Sequence, residues 1–253
     1  MAVRKLRAGV FGGMAMLGAG VMLSACSPVQ MGAAAIVGNQ RISQAALASN
    51  VTDMQNMLTA YQVPAGALQI SPTTFPQTVL SAMTQFAQMH KLAQIAGVKV
   101  TQAQINHQLD QYQAGLKSAA KQTVEEQIQQ GAQYSPKKKK KLVNAYEKAE
   151  QADGGIGPNL LPDLGRYFVE RAALEMKFNH GKLPSASNQA ESEAVQTALD
   201  QLAVKHKAEL TVKVNPQYGK INTSGAIAPA PDTLSKPAGG TSAAVAPASV
   251  SAP

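Results

Sequence analysis

Few residues of this 253-residue chain have a type and spacing that could carry chemistry, and the best defined are Leu23, Ser24, Ala25 and Cys26. They follow a basic start (Arg4, Lys5, Arg7) and an uncharged run from Ala8 to Val21 rich in Gly, Ala, Val and Met. A charged n-region, an apolar h-region and small residues before a cut describe a secretory signal peptide. The expected cut falls directly before Cys26, the only cysteine in the chain. The apolar run is too short for a transmembrane helix, which needs about 20 apolar residues. Removing three basic and no acidic residues would take the formal charge from +8 to +5.

The Leu-Ser-Ala-Cys order resembles the lipobox of bacterial lipoproteins. That resemblance implies that the Cys26 sulfur is diacylated and that Cys26 becomes the mature N-terminus. Each buried lipid methylene contributes roughly 0.8 kcal/mol, and stable anchoring takes about two chains. A diacylglyceryl Cys26 would therefore hold the protein on the outer face of the cell membrane. With its one thiol acylated, the exported part could form neither a disulfide nor a thiolate metal site.

The remaining ionisable residues point away from catalysis. His90, His107, His180 and His206 stand singly in helical patterns, whereas zinc sites use tight spacings such as H-x₃₋₅-H. His90 lies on an apolar face and reads as a satisfied core residue. No nucleophile elbow, P-loop or dinucleotide fingerprint occurs at a strand–helix junction. The expectation is a non-enzymatic protein without metal or cofactor.

Lys137, Lys138, Lys139, Lys140 and Lys141 form the most conspicuous charge feature. Nucleic acid is not the expected partner of an exported protein without stacking aromatics. An anionic membrane, where each Lys contributes roughly 1 kcal/mol, or an acidic wall polymer fits better. The plain alternative is a solvated helix start, although five cations there oppose the positive end of the helix dipole.

Met54, Met57, Tyr61, Met83, Phe86 and Met89 recur on two successive helical segments. Flexible thioethers suit promiscuous apolar surfaces, so these six are candidate contacts for unfolded chains. Helical spacing alone makes them core residues first. Met57 and Met89, off the main stripes, are the two expected to be exposed.

The elements that must position these residues are mostly helices. Leu47, Val51, Met54, Leu58 and Tyr61 mark a first helix capped by Ser43. Val79, Met83, Phe86, His90 and Ala93 mark a second over about 75–96, whose wide apolar surface makes it the central one. Thr101 and Gln104 form a capping box, with Val100 and Ile105 as the staple. Leu109, Tyr112 and Leu116 continue that helix, and residues 119–131 are polar with little to bury. Ser135-Pro136 opens a lysine-led helix to about Ala152. The glycines Gly154, Gly155 and Gly157 read as a flexible loop before a last helical pair, marked by Leu160 to Phe178 and by Ala194 to Leu202.

Two short segments break the helical period. Residues 34–37 and 40–42 flank Gly38-Asn39, a hairpin signal, and Leu210, Val212 and Val214 alternate with Thr211 and Lys213. Because an isolated hairpin is marginal, residues 209–214 are expected to return and pair with it. The fold class is thus mainly α, a multi-helix domain with a small antiparallel sheet made by an N-terminal hairpin and a C-terminal strand. The expected organisation is a signal peptide (1–25), lipidated Cys26 with a spacer (26–32), the domain (33–221) and a disordered Pro/Ala/Ser tail (222–253).

That order of elements is similar to the SurA N-terminal chaperone domain, also found with PrsA-type parvulins and trigger-factor modules. The matching residues are Ala34 to Ser43, Val79 to Gln113 through Gly97-Val98-Lys99-Val100-Thr101, and Leu210 to Gly219. The resemblance implies a SurA-like chaperone that holds exported unfolded polypeptides between its helices. No segment has the size of a parvulin domain, so prolyl isomerase activity is not implied. A further alternative is a structural or adaptor envelope lipoprotein that binds a folded partner or an anionic wall polymer through Lys137–Lys141.

Overall fold

The N-terminal hairpin and a strand about 170 residues later in the sequence meet in one sheet. In the computed structural model, which describes residues 32–185, 187–222 and 226–228, β1 (Ala33–Val37) pairs antiparallel with β2 (Gln40–Ser43) and, on its other side, with β3 (Val212–Val214). The order β2-β1-β3 joins the two ends of the domain. Gly38 sits at φ +57°, and a Cβ there would lie 2.1 Å from the Glu209 carbonyl oxygen. Only glycine fits so close an approach, and its positive φ suits the first central position of a type II′ hairpin turn.

The helices follow from caps as much as from apolar spacing. Ser43 Oγ accepts the Ala46 N–H to start α1 (Gln44–Ala60). A proline in its first turn opens α2 (Phe75–Ile95). Thr101 and Gln104 make both halves of the expected capping box at α3 (Gln102–Gln129), and Ser135 caps α4 (Pro136–Asp153). A 3-10 turn leads into α5 (Leu161–Phe178), which is followed by α6 (Gln189–Lys205) and the one-turn α7 (Lys207–Leu210).

α2 is the centre of the body, as its wide apolar surface implies. It packs against α1, α5 and the sheet, and ten of its residues are buried, among them Val79, Leu80, Met89 and Leu92. Phe86 meets Tyr167 at a ring separation of 5.4 Å, and Tyr112 meets Phe168 at 5.6 Å, which ties α2, α5 and α3 together. Close ring pairs of this kind add about 0.5–1.5 kcal/mol each beyond area burial.

Three expectations are corrected here. Residues 119–131 are not an idle polar stretch: α3 runs unbroken for 28 residues, and its distal half packs on α4. Ala120, Val124 and Val143 form a small core of their own, flanked by Ile128, Tyr134, Leu142 and Tyr146, so that the α3–α4 pair makes an arm. Nor is 154–157 a plain loop. Ile156 is fully buried, Gln151 Nε2 donates to its carbonyl at 3.0 Å, and a Cβ at Gly155 would lie 2.6 Å from the Thr78 carbonyl oxygen. The ordered body also continues past 221. β4 (Lys220–Ile221) pairs with β5 (Ile227–Ala228), and Ile227 is buried, its N–H donating to Ser81 Oγ.

Candidate functional site

Most of the apolar side chains singled out as contacts for unfolded chains are core. Met54, Met57, Phe86 and Met89 are all buried. The expected exposure of Met57 and Met89 is therefore overturned. α2 and α1 are covered from more than one direction: α1 also packs against α4 and the turn at Pro158–Leu160, and α2 against α5 and the sheet. Burial on a helix with neighbours on several sides extends beyond one stripe. Met83 is half-buried, and Tyr61 alone of the six is exposed, with Lys148 Nζ 5.6 Å from its ring centroid.

The structure opens a cleft of about 260 Å³ between the segment after α1 and the arm. Gly66 and Ala67 form one wall, Ala119, Ala120 and Thr123 the other, and Tyr146 and Glu150 stand at its edge. Local hydrogen bonds fix both walls. Asp153 Oδ1 accepts the N–H groups of Gln69 and Ile70 at 2.8 and 3.3 Å, which pins the loop to the end of α4. On the arm side, Tyr134 Oη donates to Gln127 Oε1, and Gln127 Nε2 donates to Tyr146 Oη at 2.6 Å. Small side chains along both walls leave room for a main chain to approach, and the amides and rings at the edges can take polar and apolar groups alike. Glu150 places the cleft's negative charge, and together with burial it pushes the Tyr112 phenol far above the usual tyrosine range, burial being the larger cause.

A second, wider cleft of about 470 Å³ lies between α5 and α6. Val195 and Leu199 contribute apolar surface to it, and Arg171 and Glu175 face each other there at 2.9 Å. Burial pulls the Arg171 guanidinium down, but its bonds to Glu175 and Tyr167 outweigh that and leave it above its ordinary value. The segment that borders this cleft is held by Glu191, which accepts the Ser185 N–H at 3.0 Å and the Asn179 amide at 2.7 Å. Those two bonds, the Ser185 one first, hold the Glu191 carboxyl below the usual glutamate range.

One ionisable pair escaped the sequence. Glu170 is buried, its Oε1 lies 2.6 Å from His90 Nδ1, and its Oε2 has no hydrogen-bond partner among the described residues. Gln94 Nε2 reaches the other His90 nitrogen at 2.9 Å. His90 is thus satisfied as expected, but by an acid, and its ring reaches the surface. Tyr167, Glu170 and Leu174 fall three and four apart on one buried face of α5, and that spacing was the available signal. Among the described residues, no group of three His, Cys, Asp or Glu side chains is placed to hold a metal ion.

The five lysines do not act as one block. Lys139 pairs with Glu125, Lys138 stands 5.0 Å over the Tyr134 ring, and Lys141 Nζ donates to Gln62 Oε1 at 3.1 Å. Lys137 and Lys140 are exposed, with no partner among the described residues. Leu23, Ser24, Ala25 and Cys26, with the expected lipid attachment, lie outside the described residues. Among the described residues, no helix is long and apolar enough to cross a membrane.

No family model matches this chain, and neither the curated proteins nor the solved structures contain a match to it.

Proposed function

We propose that this chain is a membrane-tethered extracytoplasmic lipoprotein that acts without catalysis as a SurA-like chaperone, holding exported polypeptides before they fold. The observation that carries this reading is the closure of the N-terminal hairpin by β3, which gathers the helices into one body from which the α3–α4 arm extends beside an open cleft. The resemblance implied that arrangement of ends, and the pairing supports it.

The binding surface is the cleft between Gly66–Ala67 and the arm, with Tyr146 as the ring in its lining, and not the methionine stripe. Five small residues of Gly, Ala and Thr leave room for a main chain, while Gln69, Gln127 and Glu150 offer polar contacts and Tyr146 an apolar one. Recognition therefore falls on the main chain and on whatever apolar group reaches Tyr146. A cleft of this size buries only part of a client, and the surplus over the cost of ordering the client is small. Weak, exchangeable binding suits a holdase. The buried acid that could serve a reaction is instead engaged with His90.

The test is light scattering of an unfolded client with the full chain and with Gly66→Leu. Gly66 lines the cleft and a Cβ there meets nothing within 4 Å, so a leucine adds bulk at this wall and leaves the fold intact. Suppression of aggregation at stoichiometric levels by the wild type, weakened severalfold by Gly66→Leu, supports the reading. No suppression by the wild type rejects it.

A further inference from the structure

The excess positive charge of this protein is concentrated on the distal half of the arm. Residues 117–146, the stretch held by the small core of Ala120, Val124 and Val143, contain seven lysines and two glutamates. The rest of residues 26–253 contains thirteen basic and thirteen acidic side chains. Beyond residue 25, then, the excess sits on the distal half of the α3–α4 pair, whereas Asp110, Glu147, Glu150 and Asp153 place acids toward its base, so that the full pair (102–153) holds eight lysines and six acids. Lys137 and Lys140, three apart on α4 and so on neighbouring turns of one side, stand exposed and without a partner among the described residues. The first turn of α4 holds no acid to offset them.

We propose that the arm is an electrostatic foot that rests on the anionic headgroups of the membrane, a second point of contact separate from the anchor at Cys26. The inference goes beyond client holding and shares with it only the reading of an exported, moored protein. The cations of the arm are all lysines. Lysine is a hydrated point charge and not a bidentate fork, so it suits a diffuse field of headgroups more than one defined phosphate or carboxylate.

The distances fit. Gln44 N–H donates to the Gly32 carbonyl at the start of α1, and Gln62, just past its end, takes the bond from Lys141. The 17 residues of α1 place these points about 25 Å apart. Six residues separate Cys26 from Gly32, and extended they reach no more than about 20 Å. A chain moored at Cys26 can therefore lie with α1 along the surface and bring Lys137 and Lys140 within the roughly 8–10 Å over which headgroup charge acts.

The test labels the full chain, incorporated into vesicles, with a membrane-impermeant lysine acylating reagent and reads each lysine by mass spectrometry. On vesicles rich in phosphatidylglycerol, Lys137 and Lys140 should react severalfold more slowly than on pure phosphatidylcholine, and molar salt should restore the rate. Lys205 and Lys207, exposed on the body, should react alike on both. Equal rates for Lys137 and Lys140 on the two lipids overturn the proposal. So does equal slowing of Lys205 and Lys207, or protection by soluble polyphosphate without protection by the anionic vesicles. Lys137→Gln with Lys140→Gln should leave aggregation suppression unchanged, which separates a failure of the foot from a failure of the holdase.

Discussion

The side-chain amide of Asn215 donates to the Ala33 carbonyl at 3.1 Å, a bond across 182 residues of sequence, and the Asn215 backbone N–H donates to the neighbouring Ala34 carbonyl at 2.9 Å. These two bonds sit where the chain enters the sheet and where it leaves it. They fix β3 in register beside β1 at the end opposite the Gly38 turn.

Asn215→Ala removes the bond to Ala33 together with the Gln217 N–H bond to Asn215 Oδ1, keeps the backbone bond to Ala34, and should cost about 1–2 kcal/mol in urea unfolding. Gly38→Ala should cost more, because the new Cβ would collide with the Glu209 carbonyl and sit at an unfavourable φ. If both variants unfold at the wild-type midpoint, the sheet does not close the body.

His90→Ala leaves the buried Glu170 carboxylate without its one close partner. The expected loss is about 2–4 kcal/mol, since an uncompensated buried charge costs more than the pair itself contributes. Adding Glu170→Gln should recover part of that loss, because the amide carries no charge to bury. A double variant no more stable than His90→Ala would contradict this account of the pair.

Met57→Ala separates core from client surface. Met57 is buried, so the change should destabilise by about 2–5 kcal/mol. At a temperature where the variant remains folded, aggregation suppression per folded molecule should match the wild type. A binding defect at full stability would return the methionines to the client surface.

Glu191 gives the acid limb of the stability curve a definite sign. Its carboxyl is held below the ordinary glutamate range by Ser185 and Asn179. A depressed carboxyl adds stability that is present above the unfolded value, about 4.3, and is lost as pH falls through the lower folded value. Glu191→Gln should therefore narrow the gap between unfolding midpoints at pH 6 and pH 3. An unchanged gap would show that the bonds at Ser185 and Asn179 contribute nothing to stability.

Local signals carried far in this chain. Thr101 and Gln104 predicted both bonds of a capping box, Ser135-Pro136 predicted the start of α4, and Gly38-Asn39 with the alternating 210–214 predicted a three-stranded closure. Each rests on neighbours in sequence or on one strong pairing rule. What escaped depends on contacts from several directions at once. Met57 and Met89 lie off their helices' main stripes, but stripes predict burial only when a helix is covered on one side, and α1 and α2 are not. Ile156 sits among glycines that read as freedom, whereas Gly155 and Gly157 are small so that the loop can press against Thr78 and Asp53. The arm's core uses Ala120, Val124 and Ile128, spaced by four but too sparse to stand out against the glutamines around them. The cleft is set by the reach of that arm, which no local pattern encodes.

The most direct measurement places a photo-crosslinking residue at Thr123, on the arm's wall of the cleft, and at Val204, exposed on α6. Illuminated with an unfolded client and with the same client folded, the Thr123 probe should capture the unfolded chain alone, and the Val204 probe should capture neither. Absence of crosslinks at Thr123, or equal capture of folded and unfolded client there, would contradict the account.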